Sequence, residues 1–102
     1  MADNENARVK ELDLRPIPHG RRHGLVFETF DKLAVGESFI IVNDHDPSPL
    51  RMQMEFMRHG ELSWVYLEQG PEDFRVEIKR AALPASERPK ASGSDPSVFT
   101  RF

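Results

Sequence analysis

Hydrophobic spacing divides the chain into short segments of changing period. Over residues 9–14, Leu12 and Leu14 fall on one side of an extended chain and Glu11 and Asp13 on the other, which predicts a strand. Arg15-Pro16-Ile17-Pro18 interrupts it, because two prolines suit neither a helix interior nor sheet pairing. Over 21–33 the apolar residues Val26, Phe27, Phe30, Leu33 and then Ala34 recur at spacings of three and four, the stripe of an amphipathic helix of about three turns. Glu28, Asp31 and Lys32 fall on its wet side, and Gly36 is expected to close it with a positive φ. Residues 39–42 (FIIV) are continuously apolar and predict a buried strand. The polar run Asn43-Asp44-His45-Asp46 ends that strand, and a second helix follows at once. Asp46 is expected to cap it, with Pro47 at its first position and Pro49 still inside the first turn. Leu50, Gln53, Met54 and Met57 form the expected inner stripe, Met52 and Phe56 flank it, and Gly60 ends it; Met52, Met54 and Met57 read as core filler. Residues 62–69 (LSWVYLEQ) and 74–80 (FRVEIKR), separated by Gly70-Pro71-Glu72-Asp73, predict a β-hairpin with Phe74, Val76 and Ile78 inward.

The order is β-α-β-α-β-β. A helix joining two strands makes a right-handed crossover, so the first two strands are expected to be parallel neighbours. The predicted fold class is α+β, a two-layer sandwich with two helices on one face of a four-stranded mixed sheet. Residues 9–81 form the domain, 1–8 a flexible start, and 82–102, rich in Pro, Ser and Ala without a period, a disordered tail. Within that tail Val98, Phe99 and Phe102 have the character to dock. The sheet face away from the helices must display either Ile40 and Val42 or Phe39 and Ile41, with Val65 and Leu67 nearby, and such a patch offers a homodimer or partner-domain contact.

Composition narrows the function classes. With 102 residues and 38% hydrophobic content there is one core and no room for a second. The absence of cysteine excludes disulfides, thiolate metal sites and sulfur nucleophiles. No apolar run approaches the ~20 residues that span a bilayer, and with no charged-then-apolar leader a cytoplasmic location is expected. Net charge is −3, and since Arg88, Lys90 and Arg101 outnumber Glu87 and Asp95, the part before residue 82 is more acidic than the whole. That argues against general binding to a phosphate backbone.

Parallel first and second strands open their carboxyl ends on one edge, beside helix N-termini, where ligands of open α/β sheets sit. Arg15, His19, Arg21, Arg22 and His23 should there face Asn43, Asp44, His45 and Asp46. The rim supports several readings. His19, His23 and His45 are candidate ligands of a metal ion such as Zn, Fe or Cu, or axial ligands of haem. The arginines and helix ends could hold a small anion. An Arg15 or Arg22 pair with Asp44 could be a structural ion pair. His45 oriented by Asp44 or Asp46 could act as a general base, but no nucleophile motif accompanies it, which leans away from an enzyme. Pro18-His19-Gly20 places His19 ahead of the helix, so His19 and His23 are not expected to share a helical face.

The strings LDLRPIPHGRRH, VFETFDKL, GESFIIVNDHDPSPL and LSWVYLEQGPEDFRVEI resemble an uncharacterised bacterial domain family with an RP-x-P loop ending in Arg-His and an NDHDP-x-PL junction. The resemblance spans residues 11–80. It implies a fold similar to the TusA/SirA sulfur carriers, a sheet order of 1-2-4-3, and company with hemerythrin-like or cupin domains in bacteria that handle nitrogen oxides. The carriers begin their first helix with Cys-Pro-x-Pro; here Arg15 stands at the cysteine's place, so sulfur transfer through it is excluded. The family carries no assigned activity. The function expected is a small binding or accessory module.

Overall fold

The computed structural model describes residues 10–84 and 87. The elements are β1 (Lys10–Asp13), α1 (His19–Asp31), β2 (Ser38–Asn43), α2 (Ser48–Met57), β3 (Leu62–Gln69) and β4 (Phe74–Arg80). They form a four-stranded mixed sheet of order β1-β2-β4-β3 with two helices, an α+β two-layer arrangement. β1 and β2 run parallel, while β4 is antiparallel to both β2 and β3. The crossover through α1 thus produces the parallel pair that the order of elements predicts. The expectations for residues 1–8, for Val9 in the first strand, and for most of the tail, including Val98, Phe99 and Phe102, lie outside the described residues.

Register explains the core. Leu12, Ile41, Val76 and Tyr66 face one another across the sheet, as do Phe39, Ile78 and Trp64. With period-two alternation these share one face, and Phe39, Ile41, Val76 and Ile78 are fully buried there against Val26 and Phe30 of α1 and Leu50 and Met54 of α2. Ile40 and Val42 therefore take the opposite face, which settles the choice between the two pairs, although Val42 is itself buried there at 4% exposure. That face is laced with charge: Arg75 pairs with Glu11 at 2.6 Å, and the Ser38 hydroxyl donates to Glu77 at 2.8 Å.

Several local expectations are corrected. α1 begins at His19, because a proline just before a helix start presets φ and lacks only an N–H that the first turn would leave unpaired anyway. It ends at Asp31 with Lys32 as its cap, and Gly36, at φ +94°, turns the chain into β2 rather than closing the helix. α2 is capped by the backbone of Pro47, with Pro49 in the first turn and no side-chain cap; Asp46 is engaged elsewhere. Of the three methionines only Met54 is core, while Met52, Met57 and the neighbouring Phe56 are exposed, Phe56 at 86%. Gln53 also points outward. The helix is short, 10 residues, and lies on the sheet by a stripe narrowed to Leu50 and Met54.

Candidate functional site

The carboxyl ends of β1 and β2 meet the first turns of both helices around a cavity of ≈ 110 Å³. Its apolar wall is Leu14, Pro47, Pro49 and Leu50, and its polar wall is Arg22, Asn43 and the imidazoles of His19, His23 and His45. No carboxylate of the described residues lines it.

Arg22 organises the rim. One turn into α1, it is 5% exposed, and each of its N–H groups meets an oxygen of the protein. Nε donates to the Ile17 carbonyl at 2.7 Å, Nη1 to Asn43 Oδ1 and Asp44 Oδ1 at 2.9 Å each, and Nη2 to the Arg15 carbonyl at 3.1 Å and Asp44 Oδ2 at 3.3 Å. These five bonds use all five guanidinium donors. Arg22 thereby ties the 15–18 loop to the end of β2, and it has no donor left for a ligand. Asn43, buried at the strand's last position, returns its amide to the His45 carbonyl at 3.1 Å and shapes the turn.

Asp44 carries the contact outward. Its Oδ1 also lies 2.8 Å from His45 Nδ1. A carboxylate oxygen only accepts, so Nδ1 carries the hydrogen and Nε2 is the nitrogen left for a ligand. The His45 ring stacks on that of His19, centroids 5.5 Å apart and planes at 27°. His23 lies one turn beyond His19 on the same face of α1, but its Nδ1 is bonded to Gln53 Oε1 on α2 at 2.8 Å. Neither nitrogen of His19 has a protein partner among the described residues.

The other rim candidates are placed apart from the cavity wall. Arg15 grips Asp13 through Nε and Nη2 at 2.8 and 2.7 Å and reaches Asp73 at 3.2 Å. Asp46, expected to cap α2, instead accepts from the Tyr66 hydroxyl at 2.7 Å and so fastens the junction to β3. Gln53 and Tyr66 are the partners that sequence reasoning missed. Both stand in segments read for periodicity alone, where nothing marks a polar group as the mate of a distant one.

Among the described residues no group of three or more His, Asp or Glu side chains is placed to hold a metal ion. Imidazole lone pairs lie in the ring plane, so two rings stacked at 27° do not converge on a point about 2 Å from each.

A family model for an uncharacterized conserved protein, DUF2249, matches residues 11–80. The chain belongs to the DUF2249 family. The matched region takes in every residue lining the cavity and nearly all of the sheet. No curated protein and no solved structure matches the chain.

Charge pairing around the DUF2249 cavity has a consequence in acid. The Arg22 guanidinium and, after it, His45 hold the Asp44 carboxyl well below the usual carboxylate range. The side-chain bonds from Arg15 hold Asp13 down at about 2. A carboxylate whose folded value is depressed stabilises the fold above the unfolded value and loses that contribution as pH falls through the folded one. The melting midpoint should therefore be flat above about pH 5 and decline from about pH 4 to pH 2. In Asp44→Asn the decline should be shallower. An equally steep acid decline in that variant would show that Asp44 is not among the groups responsible.

Proposed function

We propose that this DUF2249 domain is a small-ligand-binding module whose ligand meets the imidazoles of His45 and His19 over the apolar floor of Leu14 and Leu50. The observation that carries this reading is the sharing of Asp44 Oδ1 between buried Arg22 and His45 Nδ1. A histidine whose first nitrogen is fixed by a carboxylate, itself fixed by a buried arginine, presents its second nitrogen in a set direction. Such a supporting shell is what distinguishes a binding group from a solvated surface histidine. An exposed His-Asp contact contributes little to folding, so the Asp44–His45 bond adds little to the stability that Arg22 already secures. The sheet order equals the one that resemblance to the TusA/SirA carriers implies, and kinship in fold is part of this reading. Arg15, at the place of the carriers' cysteine, is committed to Asp13 and Asp73, so carrier chemistry is not.

A thermal-shift comparison of the wild-type chain and His45→Gln, without a histidine tag, tests the proposal with Zn²⁺, acetate, formate and phosphate as probes. At ten times its dissociation constant a ligand stabilises by about 1.4 kcal/mol, or about 6 °C or more for a domain of this size. At least one probe should give that shift in the wild type and none in His45→Gln. Equal responses of the two proteins, or none in either, would overturn the reading.

A further inference from the structure

We infer that the cavity takes a small singly charged carboxylate, such as acetate or formate, and that its binding is coupled to uptake of a proton by the stacked pair His19 and His45. This rests on the ligand-binding reading above and names the ligand's chemical class.

Four observations lead there. First, among the described residues the ionisable groups on the cavity wall are one arginine and three histidines, with no acid among them. Second, the nearest carboxylate, Asp44, is already matched by Arg22, so that pair contributes no net charge to the pocket. Third, all of Arg22's donors are committed within the protein, which leaves imidazole as the source of positive charge and of hydrogen bonds. Fourth, the volume of ≈ 110 Å³ is below the ~150 Å³ of an apolar cavity that takes up benzene, room for a ligand of a few heavy atoms.

The stack sets the charge. Two rings with centroids 5.5 Å apart repel one another when both carry a proton, so the ligand-bound state inferred here holds one. An anion between the rings and the first turns of α1 and α2 stabilises that proton and gains from the partial positive charge of the helix ends. One acquired charge suits a monoanion. A dianion would enter a pocket half walled by Leu14, Pro47, Pro49 and Leu50 with no free guanidinium to compensate its lost hydration. Among the described residues, the groups around the stack are His23, Arg22 and neutral Gln53 from the helices, and Asp44 from the loop after β2. Arg15 and Asp46 are paired with Asp13, Asp73 and Tyr66. Of these, His23 is the further imidazole on the cavity wall, its Nδ1 tied to Gln53.

The test is a ring ¹H–¹⁵N correlation titration of the full chain with sodium acetate, sodium formate, phosphate and Zn²⁺ at about pH 8 and about pH 6, the span over which imidazole changes charge. Acetate and formate should shift the His19 and His45 ring signals saturably, with dissociation constants on the order of 1 mM. Affinity should improve toward lower pH by up to about tenfold per unit, the slope of one linked proton. In His19→Gln, with its backbone spectrum otherwise unchanged, acetate binding should weaken and lose most of its pH slope. Acetate affinity independent of pH would overturn the coupling, and phosphate, a dianion at about pH 8, binding more tightly than acetate at that pH would overturn the single-charge class. Zn²⁺ shifting both rings while acetate and formate leave them unmoved would overturn this inference and leave the ligand-binding reading standing. Silence from all four probes would remove both.

Discussion

Arg22→Met is expected to destabilise the domain by about 3 kcal/mol and to abolish binding at the His19–His45 pocket together. The size follows from what is stranded. Asn43 Oδ1 is buried and loses its donor, the carbonyls of Arg15 and Ile17 lose theirs, and the loop between β1 and α1 is released from the end of β2. Asp44 is the lesser term, since its side chain is 42% exposed and can turn to water; this keeps the figure at the low end of the range for a broken buried pair. The functional loss follows from the same bonds, because Asp44 no longer held by Arg22 no longer fixes His45. Chemical denaturation and a thermal scan measure the first effect, a midpoint about 12 °C or more lower. The acetate titration measures the second. Arg22→Lys should recover only part of either, because an ammonium cannot bond at once to oxygens fanned around a planar fork. An Arg22→Met protein within about 0.5 kcal/mol of wild type that still binds would show that the anchor is not what holds the rim.

The fold was legible because its signals are periodic and local. The three-and-four spacing of Val26, Phe27 and Phe30, the continuous run over 39–42 and the alternation in 74–80 each specify an element and its inward face, and the crossover rule then forces β1 beside β2. The same rule assembled the rim: His19, Arg22, His23, Asn43 and His45 do line one cavity. The division of labour within the rim was not legible. Arg15 and Arg22 are chemically alike and seven residues apart, yet Arg22 points inward to Asn43 and Asp44, while Arg15 lies across Asp13 to the β3–β4 turn at Asp73. That difference depends on where a helix begins, and with Pro18 before it α1 starts at His19, two residues ahead of the expected start at Arg21. The start at His19 brought His19 and His23 onto one face, with Arg22 beside them and turned to the core. Likewise Asp46 before a proline reads as a cap, but Tyr66, twenty residues on and across the sheet, offers a hydroxyl in its place. Pairings of this kind carry no period, so only the folded chain displays them.

At the far end of the sheet, Arg80→Met is expected to cost about 4 kcal/mol, a large part of a total on the order of 5–10 kcal/mol. Arg80 is 3% exposed. It donates to the carbonyls of Phe30 at 3.3 Å and Leu33 at 2.8 Å, the first of which also accepts from the Leu33 N–H at 3.0 Å, and its guanidinium lies 4.4 Å from the Phe30 ring centroid. Nη1 meets Glu61 Oε1 at 3.2 Å, and Glu61 is itself 7% exposed. Methionine fills much of the volume but leaves the Glu61 charge buried and unmatched, so most of the loss is electrostatic rather than steric. The double variant Arg80→Met/Glu61→Leu separates the two, since it removes the stranded charge and should recover about half of the stability. If the double variant is no better than the single, the helix-end carbonyls dominate instead. Because Ser38 pairs with Lys79 at this end of the sheet and Asn43 with Phe74 at the other, the site lies a full strand away. Acetate affinity measured on the folded fraction of Arg80→Met should therefore match that of the wild type, whereas Arg22→Met loses stability and binding together. An Arg80→Met protein that lost both would mean that the His45 rim depends on the whole sheet's rigidity and not on its own guanidinium anchor.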